Sequence, residues 1–152
     1  MIWTIIILLT LWVAVNCAAP YAVLLRAQKI SWGRLPGELL TLPQYHDVKF
    51  YMTTLVGGYG YSVWAPGISL VVFDKAFFAH ASPTLIRYVV AHELAHFTCG
   101  HHRKRWVAIV TGASLIPGVR RWLHGMEVEA DGIAVQRTGL NREMFPELGG
   151  SK

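Results

Sequence analysis

The chain has 152 residues, a formal net charge of +5, 53% hydrophobic residues and only 15% charged ones. That length suits one globular domain and excludes two of ordinary size, while the charge content falls well below the ~25% of soluble domains. Two cysteines, Cys17 and Cys99, exclude a disulfide framework, and the basic residues flank apolar segments without a nucleic-acid motif, which argues against nucleic-acid binding.

Residues 1–25 contain no charged side chain. As a helix they would reach about 37 Å, enough to cross a hydrocarbon core of about 30 Å with tilt. No basic residue precedes the apolar run, and Pro20 follows the small-residue cluster Cys17-Ala18-Ala19, so a cleaved signal peptide is disfavoured. A lipoprotein would need a small residue before Cys17, where Asn16 stands. Arg26, Lys29 and Arg34 follow the span closely. The positive-inside rule then puts the rest of the chain on the cytoplasmic side, its net positive charge facing anionic membrane lipid. The expected organisation is a single-pass anchor over 1–25, a linker over 26–45, one domain over 46–140 and a tail over 141–152.

Within 46–54, Val48, Phe50 and Met52 alternate with Asp47, Lys49 and Tyr51, the period of a half-buried strand. Gly57-Gly58 breaks the pattern, residues 59–65 resume it with aromatics, and Pro66-Gly67 turns again. Residues 68–73 are β-branched and apolar, a third strand. The economical arrangement is a small antiparallel sheet of three strands. The third could present an edge to which an extended peptide adds. Tyr59, Tyr61 and Trp64 are expected to pack the sheet.

The period then changes. Ser82-Pro83 is an N-cap followed by proline at the first helical position, and the helix runs through Leu85, Tyr88, Val89, His92 and His96 to about Gly100. His101 and His102 follow as a solvated helix end, with auxiliary metal binding as the alternative, and Arg103-Lys104-Arg105 leads into apolar residues 106–117. That stretch is too short to span and suits either a core helix or a segment dipping into the membrane. A second helix is predicted over 122–137, with Gly139 placed to end it.

The first helix carries His92-Glu93-Leu94-Ala95-His96, an H-E-x-x-H sequence. Four residues advance about 6 Å and just over one turn, so both imidazoles leave one face and can meet one Zn²⁺. Glu93 lies beside the open position, where its carboxylate can act as general acid and base toward water. Catalytic zinc needs a third protein ligand. The second helix offers Glu127, Glu129 and Asp131. Glu127 and Asp131 are four apart and share a face, whereas Glu129 points away toward solvent. Glu127 is therefore assigned as the third ligand, and Asp131 as the acceptor of a hydrogen bond from a metal-bound imidazole.

H-E-x-x-H followed by E-x-x-A-D resembles the signature of HtpX-type and CAAX-prenyl-endopeptidase-type membrane zinc peptidases, over roughly residues 45–140. The expected fold is α+β: a transmembrane helix, a small antiparallel sheet and a zincin-like helical metal site. The resemblance implies Zn²⁺ on His92, His96 and Glu127, Glu93 as the catalytic acid/base, Asp131 beside the ligands, and a protein or peptide substrate. The alternative is a non-catalytic membrane-bound scaffold or regulatory protein that keeps the zinc site. For stabilising the developing oxyanion, Tyr88, Arg120 and His124 are candidates by position alone.

Overall fold

A computed structural model of the chain describes residues 2–31, 34–41, 45–54, 59–65 and 67–149. The expected breaks at Gly57-Gly58 and Pro66 lie outside the described residues, as do parts of the expected linker. The first element, α1 (Ile2–Leu24), is the apolar helix, and none of its described side chains is buried against the rest of the fold. At its end Val23 and Leu24 pack on the sheet, and near its middle the Trp12 indole N–H donates to the Val110 carbonyl at 3.1 Å.

The sheet has four strands in the order β1 (Gln28–Lys29), β2 (Val48–Thr53), β4 (Ile68–Asp74), β3 (Gly60–Ala65). It is mixed, which corrects the expected three antiparallel strands. β1 pairs antiparallel with β2 and β3 antiparallel with β4, but β2 and β4 run parallel, with Phe50 opposite Val71. The cause is the burial of β4 on both faces. Val71 and Phe73 enter the main core with Val48 and Phe50, while Leu70 and Val72 point the other way, toward the end of α1. A strand so enclosed must satisfy its backbone at both edges, and such strands read as continuous apolar runs. β3 takes one edge of β4 and β2 the other. The expected peptide-accepting edge on 68–73 is thus an inner strand; β3 is the outer one on that side.

Between β1 and β2, the short α2 (Gly37–Leu40) puts Leu39 and Leu40 into the core. The short α3 (Lys75–His80) is capped by Asp74, whose carboxylate accepts from the Phe77 N–H at 2.8 Å. Next, α4 (Pro83–Thr98) starts as predicted: the Ser82 hydroxyl accepts from the Leu85 N–H at 3.1 Å, and Pro83 opens the first turn. Gly100 then adopts φ 65°, a left-handed conformation that favours glycine, and the chain folds back into α5 (His101–Val110). A 3₁₀ turn at Ala113–Leu115 leads to α6 (Pro117–Thr138), which begins five residues earlier than predicted because Pro117 supplies the first-turn proline. Gly139, at φ 69°, ends α6 as expected and donates its N–H to the Val135 carbonyl.

The buried positions of α6 are Met126, Ala130 and Ala134, a stripe repeating every four residues that packs the helix on α4. Arg137 ties the two helices together farther along, donating to the Tyr45 hydroxyl and, at 3.2 Å, to that of Thr98. Beyond α6, 3₁₀ turns at Arg142–Met144 and Pro146–Gly149 fold back so that Phe145 and Leu148 join the core.

Candidate metal centre

Glu127 and Asp131 each follow a buried α6 position by one residue, so they stand at the rim of the α4–α6 contact with their side chains only partly exposed. Across from them, His92 and His96 are one turn apart on α4, with their Nε2 atoms 3.2 Å from each other. The Glu127 Oε2 lies 3.3 Å from His92 Nε2 and 3.6 Å from His96 Nε2. A tetrahedral zinc centre with bonds of about 2.05 Å has its ligand atoms about 3.3 Å apart. The two imidazoles and the carboxylate therefore could hold one such cation, and they form a donor set of the kind that catalytic zinc sites use.

Each member is held from behind. His92 Nδ1 is 2.7 Å from Asp131 Oδ1, which also accepts from the Tyr88 hydroxyl at 2.8 Å. The other Asp131 oxygen accepts from Arg142 at 3.1 Å. Arg105, on α5, donates to Glu127 Oε1, the oxygen turned away from the imidazoles. Glu93 is only 6% exposed and lines the same cleft of about 210 Å³ as His92, Glu127, Tyr59 and Gly60.

The electrostatics follow from these contacts in the metal-free protein. Burial pulls the His92 pKa down, but hydrogen bonds to Asp131 and Glu127 outweigh it and raise it to about 10. Burial works against the Glu127 carboxylate too, yet His92, His96 and Arg105 hold its pKa well below the ordinary carboxylate range. Asp131 is lowered in the same way, its partners His92 and Tyr88 overcoming burial. Glu93 goes in the opposite direction: burial pushes its carboxyl up. Burial and the Asp131 carboxylate together raise the Tyr88 phenol.

Several expectations need correction. His101 is not a solvated helix end: it is 1% exposed, lies beside His96, and burial lowers its pKa. His102 donates Nδ1–H to the His96 carbonyl at 3.0 Å and stacks near Phe97. Glu129 keeps its side chain largely in solvent, but it accepts from His101 Nε2 at 3.0 Å. Of the oxyanion candidates, Tyr88 lines the cleft, while Arg120 and His124 are exposed on α6 away from it. Tyr59 lines the cleft as well, and Trp64 packs edge-on against Trp106. Arg105 and Arg142 were missed by sequence reasoning. Their roles depend on how the chain folds back at Gly100 and after Gly139, and those two glycines were the available signals.

Residues 76–127 match a family model described as YgjP-like, metallopeptidase domain. The match supports a metal-dependent peptidase. It covers about a third of the chain, takes in His92, Glu93 and His96, and ends at Glu127, short of Asp131. A metallopeptidase domain implies a metal cofactor, typically zinc. No curated protein matches the chain.

Proposed function

We propose that the chain is a membrane-anchored zinc endopeptidase in which His92, His96 and Glu127 hold the metal and Glu93 is the general acid and base. The observation that carries this reading is the separation of the three donor atoms, 3.2, 3.3 and 3.6 Å, close to the edges of one zinc tetrahedron. Zinc, when bound, supplies Lewis-acid chemistry, making water acidic near neutral pH and polarising the scissile carbonyl. Glu93 takes a proton from the attacking water and delivers it to the leaving amine. Its burial beside the ligands favours that exchange by keeping its pKa above that of an exposed carboxylate. Asp131 fixes the His92 ring with Nδ1 protonated, leaving the Nε2 lone pair for the metal. The E-x-x-A-D sequence on α6 favours the HtpX or CAAX-prenyl-endopeptidase type within the broader metallopeptidase class.

The substrate is an unfolded or extended segment of protein. β3 supports this: it is the outer strand, and its first residue, Gly60, lines the cleft. A peptide added to β3 would pass the site in extended form, the usual way in which a sheet edge captures peptide. A peptide-inhibitor complex with its backbone paired elsewhere would contradict that placement.

Membrane attachment rests on α1, which is 23 residues long, free of charged side chains and largely exposed ahead of its packed end. With Arg26, Lys29 and Arg34 after it, the body lies on the cytoplasmic side, against anionic lipid. A membrane-impermeant reagent applied to sealed vesicles should fail to label a cysteine introduced at Glu143.

The test of activity is metal content together with degradation of a denatured protein, for the wild type and Glu93→Gln in detergent. Wild type should bind zinc and cleave; the variant should bind zinc and not cleave. Zinc without cleavage by the wild type would favour the non-catalytic scaffold or regulatory alternative.

A further inference from the structure

His96 and His101 turn their Nδ1 atoms toward each other at 3.2 Å, with both rings almost fully buried. Such a contact works only if one nitrogen carries a hydrogen and the other a lone pair. The far side of His101 decides which. Its Nε2 is 3.0 Å from Glu129 Oε2, and an ionised carboxylate can only accept, so His101 Nε2 must carry the hydrogen. A buried imidazole is cheapest as the neutral form, which has a single N–H. His101 Nδ1 is then the acceptor. His96 must donate from its own Nδ1, and its lone pair is left on Nε2, the atom that faces His92 and Glu127.

We propose that His101 and Glu129 are positioning residues that set the tautomer of His96 through this relay, so that its Nε2 is ready to accept a metal. The two candidate ligands are thus served by different routes. A carboxylate holds His92 directly, through Asp131, whereas His96 is reached from the Glu129 carboxylate through a second imidazole. The inference rests on the zinc-site reading above for its purpose, but the tautomers themselves can be read without metal.

Cys99, His101 and Glu129 also have ligand atoms near one another and could hold a cation of their own. The relay excludes filling both sites together. A cation on His101 Nε2 would move that ring's hydrogen to Nδ1 and turn it into the donor toward His96. His96 would then carry its hydrogen on Nε2, where the first metal must bind. Glu129 already accepts from the His101 ring, which gives that carboxylate a partner without a cation.

The experiment uses the full chain in detergent, labelled with ¹⁵N-histidine, with long-range proton–nitrogen spectra recorded before and after zinc. In parallel, zinc affinity is measured against a chromophoric chelator for wild type, Glu129→Ala, Glu129→Gln and His101→Phe. Zinc-free wild type should show His96 protonated at Nδ1 and His101 at Nε2. Loss of partners behind a metal ligand typically weakens binding about 10- to 100-fold, so His101→Phe should fall in that range and Glu129→Ala near its lower end. Glu129→Gln still offers an oxygen acceptor and should recover most of the affinity. Because Glu129 is solvent-exposed, its variants should fold even if His101→Phe does not. The relay is overturned by zinc-free His96 carrying its hydrogen on Nε2, by Glu129→Ala within two-fold of wild type, or by a second zinc equivalent bound through His101. A wild type that binds no zinc would defeat the metal-site reading, and the zinc-free spectra would still decide the tautomers.

Discussion

Asp131 stands 2.7 Å from His92 Nδ1, on the side of the ring opposite the Nε2 that approaches His96 and Glu127. One carboxylate on α6 therefore orients the ring, and another, one helical turn away, completes the donor set. Removing the first should weaken the metal site without removing a ligand. Asp131→Ala is expected to lower zinc affinity about 10- to 100-fold, measured by chelator competition, with folding retained. An unchanged affinity would mean that His92 needs no such anchor.

Arg105 addresses the other candidate ligand, Glu127, from outside. It pairs with the Glu127 oxygen that is turned away from the imidazoles, limiting the rotation of that carboxylate. Arg105→Met should reduce zinc affinity by about tenfold, at the low end of what such supporting contacts contribute. Arg105→Lys should recover only part of the loss, since an ammonium cannot reproduce the planar fork of a guanidinium.

The metal-free protein should lose stability at alkaline pH. The folded-state pKa of His92 is raised to about 10, above its ordinary value, so the charged imidazolium stabilises the fold. That contribution is fully present below about pH 6.5, the unfolded value, and is lost as pH rises through about 10. Thermal melting of chelator-treated protein at pH 7 and pH 10.5 should show a larger drop for wild type than for His92→Gln. Equal drops would contradict the ion-pair account of the metal-free site.

Zinc binding at pH 7.5 should release protons. In the absence of metal His92 is held protonated by Asp131 and Glu127, and a ligand nitrogen must give up its hydrogen. Calorimetric titrations in buffers of different ionisation enthalpy should report close to one proton released at this ring. A binding enthalpy independent of buffer would contradict it.

Gly100 provides a test of the fold behind the site. Its φ of 65° costs a residue with a Cβ about 1–2 kcal/mol, and nothing lies within 4 Å of where that Cβ would sit. Gly100→Ala should therefore destabilise by about that amount in chemical denaturation, through backbone strain alone. Gly100→Asn should cost less, because asparagine tolerates the left-handed region.

Much of the candidate site's arrangement was legible because its spacing is local. His92 and His96 are four apart on one helix, Glu127 and Asp131 four apart on another, and a single helical repeat aligns each pair. The N-cap at Ser82 and the glycine end at Gly139 were readable for the same reason. The parallel pairing of β2 with β4 was not, since alternation reports which face a residue takes and says nothing of which strand lies beside it. His101 was misread because a polar residue after a helix-ending glycine has the pattern of a solvated end. Its burial comes from α5 folding back against α4, a tertiary event that also delivers Arg105 to Glu127. Arg142 reaches Asp131 by the same kind of return, through the turn that follows α6.

The most direct test is zinc X-ray absorption on the full chain loaded with one equivalent of metal. Two imidazole nitrogens and one carboxylate oxygen at about 2.0–2.1 Å, with one further light atom and no sulfur, are the expected environment. Sulfur scattering at about 2.3 Å, which would bring in Cys99, or a loss of only one imidazole in a His92→Ala, His96→Ala double variant, would contradict the central claim.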